Sequence, residues 1–134
     1  MNNYWIYAGV FLDDSSKAKM KEMFKLPDGW KEYFDHMTIV FNDGSEYAQI
    51  IKNFCEKNEG KEVCLKVVGQ GLSNNAYAVE VVLPPGIPCA NKIPHITLGC
   101  SPIGKPVDSN SIENWHNIDN PFYVYGTVLI RYKG

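Results

Sequence analysis

The sequence predicts a single α+β domain whose strands form antiparallel sheet. Three observations support this prediction. Segments with a strand pattern and segments with a helix pattern follow one another in the order β-α-β-α-β-β-β-α-β. Two of the central strands are joined by a link of hairpin length, which is typical of antiparallel pairing. The 134 residues contain no linker that would separate two domains, so we expect one domain over residues 1–134.

The chain is predicted to begin with a strand, a helix and a second strand. Residues 4–12 (YWIYAGVFL) are dense in aromatic and branched residues, which is typical of a strand buried on both faces. The next segment has apolar residues at helical spacing, with Ser15 or Ser16 as its candidate N-cap, and the LPDG stretch ends it. After a loop rich in aromatic residues, HMTIVF at residues 36–41 has the pattern of a strand.

A second helix and a hairpin are predicted in the middle of the chain. Apolar residues recur on one face of a helix over residues 46–58, and Ser45 is placed to cap it. Residues 62–69 and 76–83 have strand patterns, and the GLSNN segment between them is typical of a hairpin loop. Residues 84–94 are rich in proline and cannot form a central strand, so we expect a long connection there.

Two strands and a short helix are predicted in the last third. PHITLGC at residues 94–100 has a strand pattern, SIENWHN at residues 111–117 has the pattern of a short helix, and FYVYGTVLIRY at residues 122–132 is typical of a long final strand. Each half of the chain therefore holds one strand with a His-x-Thr sequence followed by a helical segment. This arrangement suggests two halves derived from one duplicated unit.

The His-x-Thr motif is the strongest functional signal. It occurs at His36 and Thr38 and again at His95 and Thr97, although the chain has only three histidines and three threonines. In a shuffled chain of this composition, the chance of two such pairs is roughly 0.0015. Side chains at i and i+2 of a strand lie on the same face, so each histidine shares a face with its threonine. The residue between them is apolar in both motifs. We therefore expect one face of each strand in the core and the other lining a cleft.

Two histidines with neighbouring hydroxyls suit phosphoester cleavage without a metal. The reaction needs one group to remove a proton from the attacking hydroxyl or water and another to supply a proton to the departing oxygen. Imidazole titrates near neutral pH, so one histidine can start neutral and the other charged. Threonine hydroxyls can donate to the non-bridging phosphate oxygens, where negative charge builds up. A carboxylate in the same place would repel the substrate.

Charge and size limit the ligands that the chain can hold. The net charge is −2, the pI is near 5.9 and the mass is 15.1 kDa. A protein that binds long nucleic acid through many phosphates usually has a surplus of basic residues. We therefore expect a small nucleotide or short oligonucleotide as the ligand and no long duplex nucleic acid.

Targeting features and cysteines point to the cytoplasm. The first residues, MNNYWIYAGV, lack the basic and apolar regions of a secretory signal. No apolar run approaches the about 18 residues that a membrane span requires, so no membrane association is expected. The four cysteines form no Cys-x-x-Cys pair and are expected to be reduced, small, buried residues.

The segments HMTIVF and HITLGC resemble the paired His-x-Thr motifs of the two-histidine (2H) phosphoesterase superfamily. That superfamily includes LigT-like RNA 2′,3′-cyclic phosphodiesterases, the cyclic phosphodiesterase domains of fungal tRNA ligases, enzymes that degrade 2′-5′ oligoadenylates, and phage proteins that destroy cyclic-oligonucleotide immune signals. The resemblance covers nearly the whole chain in element order, but only the two motifs are specific. Their separation, 95 − 36 = 59 residues, is short for the family.

The resemblance implies a bilobal, pseudo-symmetric fold in which two antiparallel sheets line a central cleft, with the helices on the outside. It also implies a single 2H phosphoesterase domain over residues 1–134. Carried over residue by residue, His36 and His95 would be the acid–base pair, and Thr38 and Thr97 would hold the phosphate.

Four further residues are candidates for substrate binding. Tyr7, Trp30 and Tyr33 could stack against a nucleobase, although aromatic residues more often belong to the core. Lys92 lies in the long connection at residues 84–94, from where it could reach the phosphate, although an exposed lysine is usually only solvated.

A zinc site is the main rival interpretation of the histidines. His36 and His95 have no second histidine or carboxylate at ligand spacing, and strand alternation predicts that Asp35 points away from His36. We therefore expect neither a metal nor another cofactor. His116 lies in a polar segment and is expected on the surface.

The sequence thus predicts a monomeric, metal-independent hydrolase that cleaves a 2′,3′-cyclic phosphate, a 2′-5′ linkage or a 3′-5′ bond inside a cyclic oligonucleotide. By analogy with the phage proteins, it could act against a host immune signal. The alternatives are a nucleotide-binding sponge or sensor without activity, and an RNA-repair or RNA-processing factor. The plainest alternative is that both histidines are hydrogen-bonded residues of a sheet.

Overall fold

The structure is a computed structural model that describes residues 4–133. Seven strands, two α-helices and one 3-10 helix make up the described chain. In chain order they are β1 (Trp5–Leu12), α1 (Asp14–Met23), β2 (Lys31–Glu32), β3 (His36–Phe41), α2 (Glu46–Lys57), β4 (Glu62–Leu72), β5 (Ala76–Val82), β6 (His95–Cys100), the 3-10 helix Pro106–Ser111 and β7 (Trp115–Tyr132).

Six of the strands form a closed antiparallel barrel. The strand order is β6-β3-β1-β7-β4-β5, and β5 pairs back with β6 to close the ring. The short β2 lies along β6 outside this ring. The expected bilobal α+β fold, with two separate sheets on either side of a cleft, is therefore wrong, because the protein is a mostly-sheet barrel. Two strands prevent a division into two sheets. β6 pairs with both β3 and β5, and the 18-residue β7 pairs with both β1 and β4.

Alternate residues of all six barrel strands form the hydrophobic core. Representative core residues, one from each strand, are Val10, Met37, Leu65, Val79, Ile96 and Val124, all of them fully buried. Both α-helices also contribute to this cluster, through Met20 of α1 and Ile51 of α2. Because strand side chains alternate between faces, the residues between these core positions project from the other side of the sheet. The histidines and threonines of both motifs occupy such positions.

The first helix begins two or three residues earlier than an N-cap at Ser15 or Ser16 would place it. Its N-cap is Asp13, whose carboxylate accepts the Ser16 N–H at 2.7 Å, so Ser15 and Ser16 lie inside the helix. Asp is as good an N-cap as Ser because either side-chain oxygen can accept a free N–H of the first turn. The buried Ser16 has another role, since its hydroxyl accepts the Tyr125 N–H at 2.8 Å and ties α1 to β7.

The second helix matches its prediction. It begins at Glu46 after the N-cap Ser45, whose hydroxyl accepts the Ala48 N–H at 3.1 Å. Ile51 and Cys55 are buried on its inner face. Neither this helix nor any other between residues 4 and 133 is long and apolar enough to cross a membrane.

The short helix expected at residues 111–117 is absent. The 3-10 helix ends at Ser111, and Trp115 already begins β7. The start of β7 pairs with the end of β4, with Trp115 opposite Gly71. Pairing with this long neighbouring strand therefore overrides the local helical pattern.

Two leucines of β4 allow a matched test of the barrel core. Leu65 is fully buried, whereas Leu72 is 53% exposed on the same strand. We expect Leu65→Ala to lower the free energy of unfolding by about 2–5 kcal/mol, through lost apolar burial and the cavity left behind. Leu72→Ala should change it by less than about 0.5 kcal/mol. Urea denaturation of both variants measures the difference, and equal losses would contradict a core enclosed by the barrel.

Candidate active site

The strands that carry the two motifs are antiparallel neighbours. Met37 in the first motif pairs with Ile96 in the second, and both side chains are fully buried in the core. The flanking residues of both strands therefore project from the opposite face of the sheet. This register brings together two short segments that are far apart along the chain.

The chain just before the first motif also lies against the second motif. The Phe34 N–H donates to the carbonyl oxygen of Thr97 at 3.2 Å, next to the pairing of Met37 with Ile96. All four histidine and threonine side chains of the motifs line one cavity of about 510 Å³. The cavity is thus lined by one histidine and one threonine from each motif.

His36 is held by hydrogen bonds on both ring nitrogens. Its Nδ1 lies 3.0 Å from Asp35 Oδ2, and its Nε2 lies 3.1 Å from Thr38 Oγ1. An ionised carboxylate can only accept, so Nδ1 carries the proton in this contact. The other carboxylate oxygen of Asp35 lies 3.3 Å from Lys17 Nζ. The salt bridge to Lys17 keeps Asp35 in place beside the imidazole.

The expectation that Asp35 points away from His36 is wrong. Strand alternation applies only within a strand, and β3 begins at His36 itself. Asp35 follows Phe34, whose φ of 48° is in the left-handed region. The chain therefore changes direction just before the motif, which allows the carboxylate to reach the imidazole of the next residue.

Aromatic rings surround the imidazole of His36. The ring centroids of Tyr7 and Phe11 lie 5.0 Å and 4.9 Å from it, and the guanidinium of Arg131 lies 4.2 Å from the Phe11 ring centroid. The pKa of His36 is lowered below its ordinary value, mainly because burial disfavours the charged ring. The carboxylate of Asp35 opposes this shift, and the charge of Arg131 adds to it.

His95 is more deeply buried and has a different partner. Only 8% of the residue is exposed, and its Nδ1 donates to the carbonyl oxygen of Ile93 at 2.8 Å. The neutral ring then leaves Nε2 as an unprotonated acceptor. Burial is the main cause that lowers the pKa of His95, and the charge of protonated His36 lowers it further, while the Ile93 hydrogen bond opposes both.

Thr97 has a partner that the sequence did not reveal. Its hydroxyl lies 2.8 Å from the hydroxyl of Ser109, which is buried in the 3-10 helix. Twelve residues separate the two, and no motif connects them. Asp35 was missed in a different way, since it stands directly beside the motif but was assigned to the wrong side of the strand.

The predicted substrate-binding residues are divided between several places. Tyr7 and Tyr33 line the cavity together with both motifs, whereas the half-buried Trp30 is not among its lining residues. Lys92 lies instead in an adjoining pocket of about 380 Å³ that also touches His95. His116 is exposed, as expected, and lies outside both pockets.

Two lysines of α1 form salt bridges with the acidic residues of the cavity. Glu32 forms a salt bridge with Lys21 at 2.8 Å, and Asp35 forms one with Lys17. An anionic ligand therefore meets these carboxylates as ion pairs and not as free charges. Within residues 4–133, no three His, Cys, Asp or Glu side chains are grouped so that they could hold a metal ion.

Comparison with known proteins shows a shared fold. No protein-family model matches the chain, and no curated protein matches it by sequence. Among solved structures, a fungal RNA kinase superposes with a TM-score of 0.69 and 16% sequence identity over 97% of this chain. The chain spans 46% of that kinase, so the similarity concerns about half of the larger protein. At this level of identity the comparison shows a shared fold alone.

The contact between Asp35 and His36 predicts a change in proton affinity. The Asp35→Asn variant keeps the shape of the side chain but removes the charge that favours protonated His36, so the pKa of His36 should fall further. NMR titration of the imidazole signals measures this. Asp43→Asn, in an exposed turn outside the cavity, is the matched control and should leave the titration unchanged. An unaltered His36 curve in Asp35→Asn would show that the carboxylate does not support the ring.

Proposed function

We propose that the chain is a 2H phosphoesterase, a metal-independent phosphodiesterase that cleaves a small ribonucleotide. The observation that carries the proposal is the placement of His36, Thr38, His95 and Thr97 around one cavity. Plain structural histidines of a sheet would not need two hydroxyl partners in the same cavity. The fold shared with a fungal RNA kinase is in keeping with a ribonucleotide ligand.

Differences in their surroundings assign the two histidines different roles. The carboxylate of Asp35 lies beside His36 and favours the protonated form of its ring. His95 instead donates to a backbone carbonyl, and the positive charge of protonated His36 disfavours a second positive charge on His95. We therefore assign His36 as the general acid and His95 as the general base. Neighbouring titratable groups with divergent environments commonly divide acid and base roles in this way.

The proposed reaction needs two proton transfers across one phosphorus. His95 Nε2 removes the proton from the attacking hydroxyl, which belongs to water or to the adjacent ribose. A new phosphorus–oxygen bond forms, and the bond to the leaving oxygen breaks. His36 gives its proton to that oxygen, so the net charge of the pair is unchanged. General acid–base catalysis of this kind contributes about 10²–10⁴-fold per group.

The threonines complete the site by donating to the non-bridging phosphate oxygens. Hydroxyl groups aimed at developing charge are most effective when their orientation is fixed beforehand. Ser109 restrains the hydroxyl of Thr97, and Thr38 is restrained by its contact with His36. Loss of one such donor costs about 10²–10³-fold in turnover in known oxyanion sites.

The size and charge of the chain favour a small substrate. The cavity falls in the range of about 300–1,000 Å³ that is typical of small-molecule sites. A net charge of −2 does not favour a long nucleic acid backbone. The candidate bonds remain a 2′,3′-cyclic phosphate, a 2′-5′ linkage and a bond within a cyclic oligonucleotide.

The leaving group distinguishes the roles of the histidines. With an ordinary nucleoside leaving group, His36→Ala and His95→Ala should each lower turnover by about 10²–10⁴-fold. With a p-nitrophenyl ester of the same nucleotide, the leaving group departs as a stable anion without a proton. His36→Ala should then recover most of its activity, whereas His95→Ala should stay inactive. Release of p-nitrophenolate is followed by absorbance.

Two controls accompany these assays. His116→Ala, which removes the exposed histidine outside the cavity, should keep full turnover. Turnover by the unaltered protein should also persist in EDTA. Activity that disappears with the chelator, or that survives in a variant lacking both His36 and His95, would refute the proposed chemistry. Recovery by His95→Ala instead of His36→Ala would reverse the acid and base assignments.

A further inference from the structure

A second pocket adjoins the catalytic cavity on the side of His95. Its volume is about 380 Å³, which is itself within the range of about 300–1,000 Å³ for small-molecule sites. Asn91, His95 and Asn110 line both spaces. His95 therefore stands where the two spaces meet, whereas His36 lines only the catalytic cavity.

The second pocket has an aromatic wall in a fixed orientation. The indole N–H of Trp115 donates to the carbonyl oxygen of Ile112 at 3.1 Å, so the ring is held at its polar edge. The ring also packs over Gly71 on the paired strand, where an added Cβ would approach it to 2.8 Å. The Trp115 ring centroid lies 6.1 Å from that of His95. A flat, half-buried indole next to the catalytic histidine is a suitable surface for a nucleobase.

The charge of the second pocket differs from that of the catalytic cavity. Lys92 is the only charged residue among those that line it. Among the described residues that line the catalytic cavity there is no lysine or arginine, and its carboxylates Glu32 and Asp35 are already paired with lysines of α1. A phosphate beyond the one being cleaved would therefore find a lysine to bind on the Lys92 side.

From these observations we infer that the substrate has a nucleoside on each side of the scissile phosphate. One nucleoside occupies the cavity beside Tyr7 and Tyr33. The other lies against Trp115, with its further phosphate near Lys92. This inference rests on the proposed function and narrows its substrate class to dinucleotides and longer or cyclic oligonucleotides. A mononucleotide 2′,3′-cyclic phosphate would leave the second pocket empty.

The test compares two probes at the same pH. One is adenosine 2′,3′-cyclic monophosphate, and the other is a 5′-phosphorylated adenosine dinucleotide, in 2′-5′ and 3′-5′ forms. We expect kcat/KM for one dinucleotide form to exceed that for the cyclic mononucleotide by at least about tenfold, since remote binding energy contributes to the transition state. Separation of the products by chromatography measures both rates.

Substitutions in the second pocket test whether its residues cause the preference for a dinucleotide over the cyclic mononucleotide. Lys92→Ala removes an exposed side chain, so it should not disturb folding, and Trp115→Phe keeps an aromatic ring while Trp115→Ala removes it. Lys92→Ala and Trp115→Ala should raise KM for the dinucleotide by about tenfold more than for the cyclic mononucleotide, with Trp115→Phe in between. Lys61→Ala, an exposed lysine that lines neither pocket, is the control and should leave both substrates unaffected.

The possible failures can be told apart. A cyclic mononucleotide cleaved as well as or better than both dinucleotides, or variants that weaken both substrates equally, would overturn the two-nucleoside inference and leave the phosphodiesterase proposal standing. If none of these probes is cleaved and none binds, both the proposed function and the inference fall.

Discussion

The single pairing between Met37 and Ile96 is the contact on which both the barrel and the candidate site depend. It joins β3 to β6, and without it the ring of six strands would be open. Because both side chains are fully buried, the core fixes the register. The same register directs both His-x-Thr motifs to the opposite face. A slip by one residue would exchange the faces of a whole strand and separate the two imidazoles.

Burial and charge give two identical side chains different properties. Both histidines are partly removed from water, which lowers the pKa of each. Asp35 counteracts this effect at His36 only, and the salt bridge with Lys17 holds that carboxylate in place. His95 has a backbone carbonyl as its partner instead. A nearly symmetric pair of motifs thus becomes a chemically unequal pair, which a reaction with one proton donor and one proton acceptor requires.

Local patterns in the sequence predicted most elements but not their partners. The positions of β1, β3, α2 and β6 follow from periodicity, and the shared face of each histidine and threonine follows from the two-residue repeat of a strand. Barrel closure could not be predicted in this way, because strand pairing depends on contacts between distant segments. For the same reason the helical pattern at residues 111–117 was misleading, since the end of this segment pairs with β4 as the start of β7. Asp35 and Ser109 reach the motifs through a change of chain direction and a 3-10 helix, neither of which has a periodic signal.

The proposed chemistry requires the imidazoles of His36 and His95 to bind one and the same phosphate. Nitrogen-15 NMR of both rings, during titration with a dinucleotide whose bridging oxygen is replaced by a methylene group, tests it without turnover. If both rings bind the same phosphate, the signals of both histidines shift together and saturate at one common midpoint. A response from only one ring, or two separate midpoints, would contradict it.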